Sequence, residues 1–186
     1  SFALGLATST RGACHMRSRP SMDALGLPQD FLKKIYGGPV SNRMASYNGK
    51  GRMVWWHELL HAVTDALGVC RFLTAFSSPH ALQYRQFARL IKLATGFEMS
   101  SGQLRTIAER IYTLERMMLV GDGISRKDDT LPKRYFEEPI PEGPAKGCVI
   151  ERKGFDGMLD EYYRLHGWDP DGIPTKRTLN KLGIKI

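Results

Sequence analysis

Long apolar runs are missing from this sequence, and so are a disulfide set, a repeat and a block of like charge. No stretch approaches the roughly 18 apolar residues that a bilayer-spanning helix needs, so no membrane span is expected. Cysteine is scarce. Cys14, Cys70 and Cys148 are odd in number and far apart, which argues against a disulfide framework and suits a reducing, cytoplasmic setting. No stretch alternates as a half-buried strand does, and no period recurs. The first residues, Ser1 to Ala7, lack the basic start of a signal peptide and an initiator methionine. The chain is therefore expected to be a piece of something longer, beginning mid-fold.

What is present is a globular composition. The 186 residues are 42% hydrophobic and 25% charged, enough for one domain with a real core. The net charge of +8 favours anionic partners: phosphates, acidic proteins or nucleic acid. The lysines and arginines are scattered rather than blocked, which argues against nucleic acid.

Residues 1–20 carry few helix signals. Ser21 to Asp23 can cap a short helix, broken at Pro28 and resumed over Phe31 to Tyr36. Arg52 to Leu67 reads as a clear helix with Trp55, Leu59, Ala62, Val63 and Ala66 on its apolar face, stopped by Gly68. Ser77-Ser78-Pro79 reads as a turn. Ala81 to Thr95 is a second clear helix, with Phe87, Leu90, Ile91 and Ala94 on one face. Ser100 and Gln103 form a capping-box pattern. They open a long helix whose expected stripe is Leu104, Ile107, Ala108, Ile111, Leu114 and Met118. Glycines and prolines over 121–154 predict an ordered loop. Phe155 to Leu165 and Thr175 to Leu182 are the last two helices, with Pro174 suited to the first turn of the latter. The expected fold class is all-α: an irregular single helical domain over 1–186, of five or six helices with long ordered loops.

Three constellations can carry chemistry. His57-Glu58-Leu59-Leu60-His61 has the spacing of a zinc site with a general base, as in metallopeptidases. It lacks an evident third ligand: Asp65 lies eight residues past His57, roughly 12 Å along the axis. Otherwise these residues form a polar face opposite the apolar stripe. The second constellation is Asp65-Ala66-Leu67-Gly68-Val69-Cys70, a helix end followed by a thiol. It reads either as a buried, inert cysteine or as one soft ligand of an iron–sulfur cluster completed from outside the chain. The third is Arg11-Gly12-Ala13-Cys14-His15-Met16-Arg17. Its guanidiniums match phosphate or carboxylate oxygens, and its histidine can move protons near neutral pH. The other reading is an exposed basic loop, and of the whole chain a basic helical binding module without chemistry.

In their order along the chain, five segments resemble a known family. They are Thr8 to His15, Asp65 to Cys70, Ala108 to Arg116, Ser125 to Arg134, and Met158 to Asp169. They are similar to the carboxy-terminal helical domain of the tungsten-containing aldehyde ferredoxin oxidoreductases, over nearly the whole chain. The resemblance implies a tungsten held by two pterins (tungstopterin) beside a cubane 4Fe–4S cluster. It implies oxidation of aldehydes to carboxylic acids, with electrons leaving to ferredoxin or a partner subunit. Cys70 would be the last of four cluster ligands, the others lying in an absent amino-terminal part. Asp65 would accept pterin N–H donors, with Gly68 and Val69 shaping the turn. Val69 stands where the family has leucine. Arg11 and Arg17 match basic positions that hold the pterin, and His15 a histidine close to the metal. The resemblance leaves the His57–His61 pattern as coincidence and the 122–141 segment as packing. It leaves oligomeric state open and does not exclude a benzoyl-coenzyme A ring reductase.

Overall fold

The computed structural model describes residues 1–75 and 78–185. Ser77, which opens the expected turn at 77–79, lies outside them. Eight α-helices occur among the described residues: α1 Phe2–Ala7, α2 Gln29–Tyr36, α3 Lys50–Leu67, α4 Tyr84–Thr95, α5 Ser101–Gly121, α6 Arg134–Glu137, α7 Arg152–His166 and α8 Lys176–Leu182. Strands are absent among those residues; only isolated bridges occur. The all-α expectation holds, and six of the eight helices stand where the periodicity puts them. The two extra ones are short. α1 has no side-chain cap at its amino-terminal end, and α6 is a single turn inside the expected loop.

Local chemistry explains the boundaries. Ser100 accepts from the Gln103 N–H at 3.1 Å while the Gln103 side chain takes the Ser100 N–H at 2.8 Å, so both orphan donors at the start of α5 are satisfied. Thr175 caps α8 by accepting from the Thr178 N–H. Pro174 therefore lies just before the cap rather than within the first turn. α4 starts at Tyr84, three residues later than the sequence suggests.

α3 is the axis of the fold. It packs on α5 and on α7, and α1 and α2 lean on its outer sides. Its close approach to α7 is set by a missing side chain: a Cβ at Gly51 would stand 2.6 Å from the Met158 carbonyl oxygen. The core runs from Leu4 and Leu32 through Met53, Leu59 and Leu60 to Phe155, Leu159 and Tyr162. Trp55 and Trp56 belong to it rather than to an open aromatic pocket.

Two expectations from the periodicity need correction. α3 is buried on nearly every side, including Lys50, His57, Glu58, His61 and Thr64. The polar strip opposite the apolar stripe, Asp65 apart, therefore faces protein, not water. Most of its groups find partners, His57 Nδ1 being an exception among the described residues. Lys50 Nζ donates to Asp23 and to the Ser41 carbonyl, each at 2.8 Å, and the Tyr84 hydroxyl donates to the Trp56 carbonyl at 3.1 Å. On α5, Leu104, Ala108 and Tyr112 face the core, while Ile107, Leu114 and Met118 of the expected stripe are exposed. The helix has two apolar faces, and the one that carries Ile107, Leu114 and Met118 is the more exposed.

The segment 122–133 is held as packing. The Arg116 guanidinium donates to both oxygens of Asp129, at 2.9 and 2.7 Å, and its Nε donates to the Gly172 carbonyl at 2.8 Å. The Tyr163 hydroxyl also donates to Asp129. This buried node locks the loop to α5 and to the turn after α7.

Candidate functional site

At the end of α3 the chain turns sharply. Gly68 adopts φ +66°, in the left-handed region. Its N–H donates to the Asp65 carbonyl at 3.3 Å, and the Val69 N–H donates to the Thr64 carbonyl at 2.9 Å. That pair of bonds is a Schellman end, which glycine permits because no Cβ opposes the left-handed turn. Val69 then tucks against the core, and Cys70 emerges exposed at the head of a short 3-10 turn, Arg71–Leu73. Its thiol is in no disulfide. A buried, inert cysteine, the bland reading of this stretch, is not what the fold provides.

One turn back along α3, Asp65 receives two guanidiniums. Arg17 Nη1 donates to Oδ2 at 2.7 Å, and Arg71 Nη2 reaches both oxygens at 2.5 Å. Arg17 also donates through Nη2 to Glu115 on α5, where the Thr10 hydroxyl donates to the same oxygen at 2.7 Å. The Arg17 side chain is 2% exposed and lies 5.1 Å from the centre of the Tyr112 ring. Burial opposes its charge, but Tyr112, Glu115, Asp65 and Glu58 outweigh that and raise its pKa. Arg17, Asp65, Arg71, Glu115 and Thr10 thus form one charge network joining the 8–19 loop, the end of α3 and α5.

The loop's other expected residues are open. Arg11 and His15 are exposed, and Arg11 Nη2 lies 3.7 Å from Cys14 Sγ. The structure therefore brings Asp65, Gly68, Val69, Cys70 and Arg17 to one corner, with Arg11 and His15 on the loop that Arg17 anchors. Arg71, Glu115 and Thr10 were missed by the sequence reading. Their partners lie up to 105 positions away, and no local spacing signals them.

The placement of His57 and His61 argues against a zinc site. Both rings are buried. His57 Nε2 faces the Tyr36 hydroxyl at 3.0 Å, and His61 Nδ1 donates to the Arg17 carbonyl at 3.1 Å. Glu58 points at Thr8 and Tyr162 instead of toward an open coordination position. Among the described residues no group of three or more His, Cys, Asp or Glu is placed to hold a metal ion. Cys70 can serve a cluster only with ligands from outside this chain.

The residues at the corner fit an anionic, hydrogen-bonding cofactor beside a thiolate-bound cluster. The thiol is exposed and unpaired. Asp65 is 37% exposed, and its two oxygens offer about four lone-pair sites. Arg17 and Arg71 occupy three, so a ligand presenting two N–H donors must share the carboxylate with Arg71 or displace it. Arg17 Nε is buried without a partner among the described residues.

Residues 1–184 match the family model for aldehyde ferredoxin oxidoreductase, domains 2 and 3. The chain is 36% identical over 184 residues to a tungsten-containing aldehyde ferredoxin oxidoreductase of Pyrococcus horikoshii, covering 98% of this chain and 27% of that protein. It is 34% identical over 133 residues to an aliphatic sulfonate oxidoreductase, WOR-like subunit, of Pyrococcus furiosus, covering 68% and 20%. Among solved structures it is similar to the active site complex BamBC of benzoyl-coenzyme A reductase, bound to 1,5-dienoyl-CoA. There the TM-score is 0.64 and the identity 30%, over 90% of this chain and 25% of that one. The chain thus spans about a quarter of the length of the relatives it matches.

Proposed function

The chain belongs to the aldehyde ferredoxin oxidoreductase family, and from that we propose that it forms one wall of a tungsten–pterin active site that oxidises aldehydes. The net reaction is aldehyde plus water to carboxylate, with two electrons and three protons released. The bound tungsten–pterin unit supplies the two-electron redox centre, and a 4Fe–4S cluster a one-electron path to ferredoxin or a partner subunit.

The placement of this chain's residues supports a role for each. Cys70 presents its sulfur outward as a cluster ligand, with three ligands from elsewhere in the complete protein. Asp65, steadied by Arg17 and Arg71, accepts N–H donors of the pterin. The Gly68 turn aims the Val69 backbone and Cys70 at the same neighbour. Arg11 is free to pair with the cofactor's anionic oxygens. His15 is exposed to take a proton from substrate or water. The observation that carries the reading is the exposed thiol beside a guanidinium-held carboxylate, at a glycine-turned helix end.

The test is Cys70→Ser in the complete protein, purified without oxygen. The expected result is loss of the cluster's paramagnetic signal and a drop in bound iron. An unchanged signal refutes the role of Cys70. A second reading, a benzoyl-coenzyme A-type ring reductase, is favoured by the 30% identity to BamBC. Assaying both an aldehyde with an oxidising dye and an aryl-CoA thioester with a strong reductant separates the two.

A further inference from the structure

Arg11 and His15 stand at the exposed tip of a loop whose two feet are buried: Thr8 and Ser9 on one side, Arg17 and Ser18 on the other. An exposed tip has few contacts of its own, so its direction is set by what holds the arms below it. The Arg17 arm is gripped several times over. Asp65 accepts from its guanidinium, the Tyr112 ring centre lies 5.1 Å from that group, and His61 donates to the Arg17 carbonyl at 3.1 Å. On the other arm the Tyr112 hydroxyl donates to the Thr8 carbonyl at 3.3 Å. Past Ser9, the side chain that ties this arm to a helix is Thr10.

The two arms meet at one atom. Glu115 Oε2 accepts from the Thr10 hydroxyl at 2.7 Å and from Arg17 Nη2, partners 105 and 98 positions away in sequence. A carboxylate oxygen has two lone pairs, and these two donors fill them. The arm that leaves the protein and the arm that returns are thus tied across their open side through a single oxygen. Between the tied residues lie Arg11, Cys14 and His15. Glu115 and Tyr112 stand at i+3 and i on one face of α5, so that face holds Thr8, Thr10 and Arg17 together.

We propose that Glu115 is a positioning residue: its Oε2 closes the 10–17 loop and so sets the direction in which Arg11 and His15 are presented. The closure is a matter of geometry alone, whereas its effect on turnover rests on the role proposed above for His15. Loss of Glu115 acts unequally on the two arms. Arg17 keeps Asp65, the Tyr112 ring and His61. Thr10 loses its tie to α5, and the stretch from Thr10 to His15 is free to swing. A displacement of about 1 Å at a group that moves a proton can cost about a hundredfold in rate, so a loose arm is felt in turnover without any change in the fold.

The test compares Thr10→Val, Glu115→Ala and Glu115→Gln in the complete protein, purified without oxygen. Thr10→Val removes the O–H and leaves the Arg17–Glu115 pair in place, so it separates loop closure from the ion pair. Amide hydrogen exchange over 9–17 should quicken about tenfold in Thr10→Val and Glu115→Ala, with α5 and α7 unchanged. In both, kcat for aldehyde oxidation should fall at least about tenfold, with KM and bound tungsten and iron as in the parent. Glu115→Gln, whose amide oxygen still accepts from both donors, should stay within about threefold of the parent in exchange and in kcat. Parent-like exchange in both Thr10→Val and Glu115→Ala overturns the proposal. So does a change confined to Glu115→Ala, because Glu115 would then act through Arg17 alone. Should Glu115→Ala fail to fold, Thr10→Val decides. If the parent oxidises no aldehyde, the functional reading fails, and the exchange comparison alone decides the closure.

Discussion

Arg17 and Asp65, 48 positions apart in sequence, are joined by a 2.7 Å bond from Nη1 to Oδ2. That single link fastens the amino-terminal loop to the corner that presents Cys70. The guanidinium is almost fully buried, whereas its two carboxylate partners are each about one-third exposed.

Removing the Arg17 cation should therefore cost more than a surface ion pair and less than a fully buried one. Arg17→Ala leaves Asp65 with only Arg71 and leaves Glu115 without its cation. A loss of about 2–3 kcal/mol is expected, after discounting the partners' exposure to water. Arg17→Lys should recover only part, because an ammonium cannot reproduce the planar fork. The shift of the denaturant midpoint in the complete protein, at constant slope, measures both.

Four buried groups fix a pH of greatest stability. His61 and His166 have their pKa values lowered by burial from 6.5 to about 4 and about 3, and His57 is lowered well below 6.5. The unfolded chain binds more protons at these sites below pH 6.5, so stability climbs as pH rises toward 6.5. Glu58 is raised from 4.5 to about 8, so the folded chain holds the extra proton and stability falls as pH rises through that window. Three rising contributions outweigh one falling contribution up to about 6.5, and above it Glu58 is the main contributor of these four. Thermal unfolding should peak near pH 6.5, and Glu58→Gln should remove the decline between there and pH 8.

Two glycines in neighbouring helices should respond in opposite directions. Gly51→Ala drives a methyl against the Met158 carbonyl and the Tyr162 N–H of α7, and a loss of about 1–3 kcal/mol is expected. Gly157 on α7 has nothing within 4 Å of an added Cβ. Alanine there should stabilise by about 0.5–1 kcal/mol through helix propensity alone. Melting temperatures of the two variants provide the comparison.

The sequence carried the helices well where the signal is local. The capping box at Ser100 and Gln103, the glycine stop at Gly68 and the long apolar period of α3 are all short-range chemistry. It could not show that the far side of α3 is also buried. Glu58 is satisfied by Thr8, 50 positions earlier, and by Tyr162, 104 positions later. Periodicity also cannot say which of two apolar faces turns inward, so the exposed Leu114 and Met118 were expected in the core. The Asp65-to-Cys70 corner was legible because a turn glycine, an acid and a thiol lie within six residues. Arg71 and Glu115, which hold that acid and its guanidinium, come from a different turn and a different helix.

The Gly51 contact has a consequence for phase. α3 begins against α7 with no side chain between them, so its rotation about its own axis is fixed at that end by backbone touching backbone. Fourteen residues later the same rod delivers Asp65 to Arg17, and three residues further on it turns at Gly68. Each residue of helix advances about 1.5 Å and rotates about 100°. A single residue gained or lost anywhere in α3 would leave the Gly51 end in place and swing the Asp65 carboxylate and the Cys70 thiol to another side of the molecule. The corner's aim is thus stored as a residue count, kept between one glycine that lets two helices touch and another that lets one of them stop.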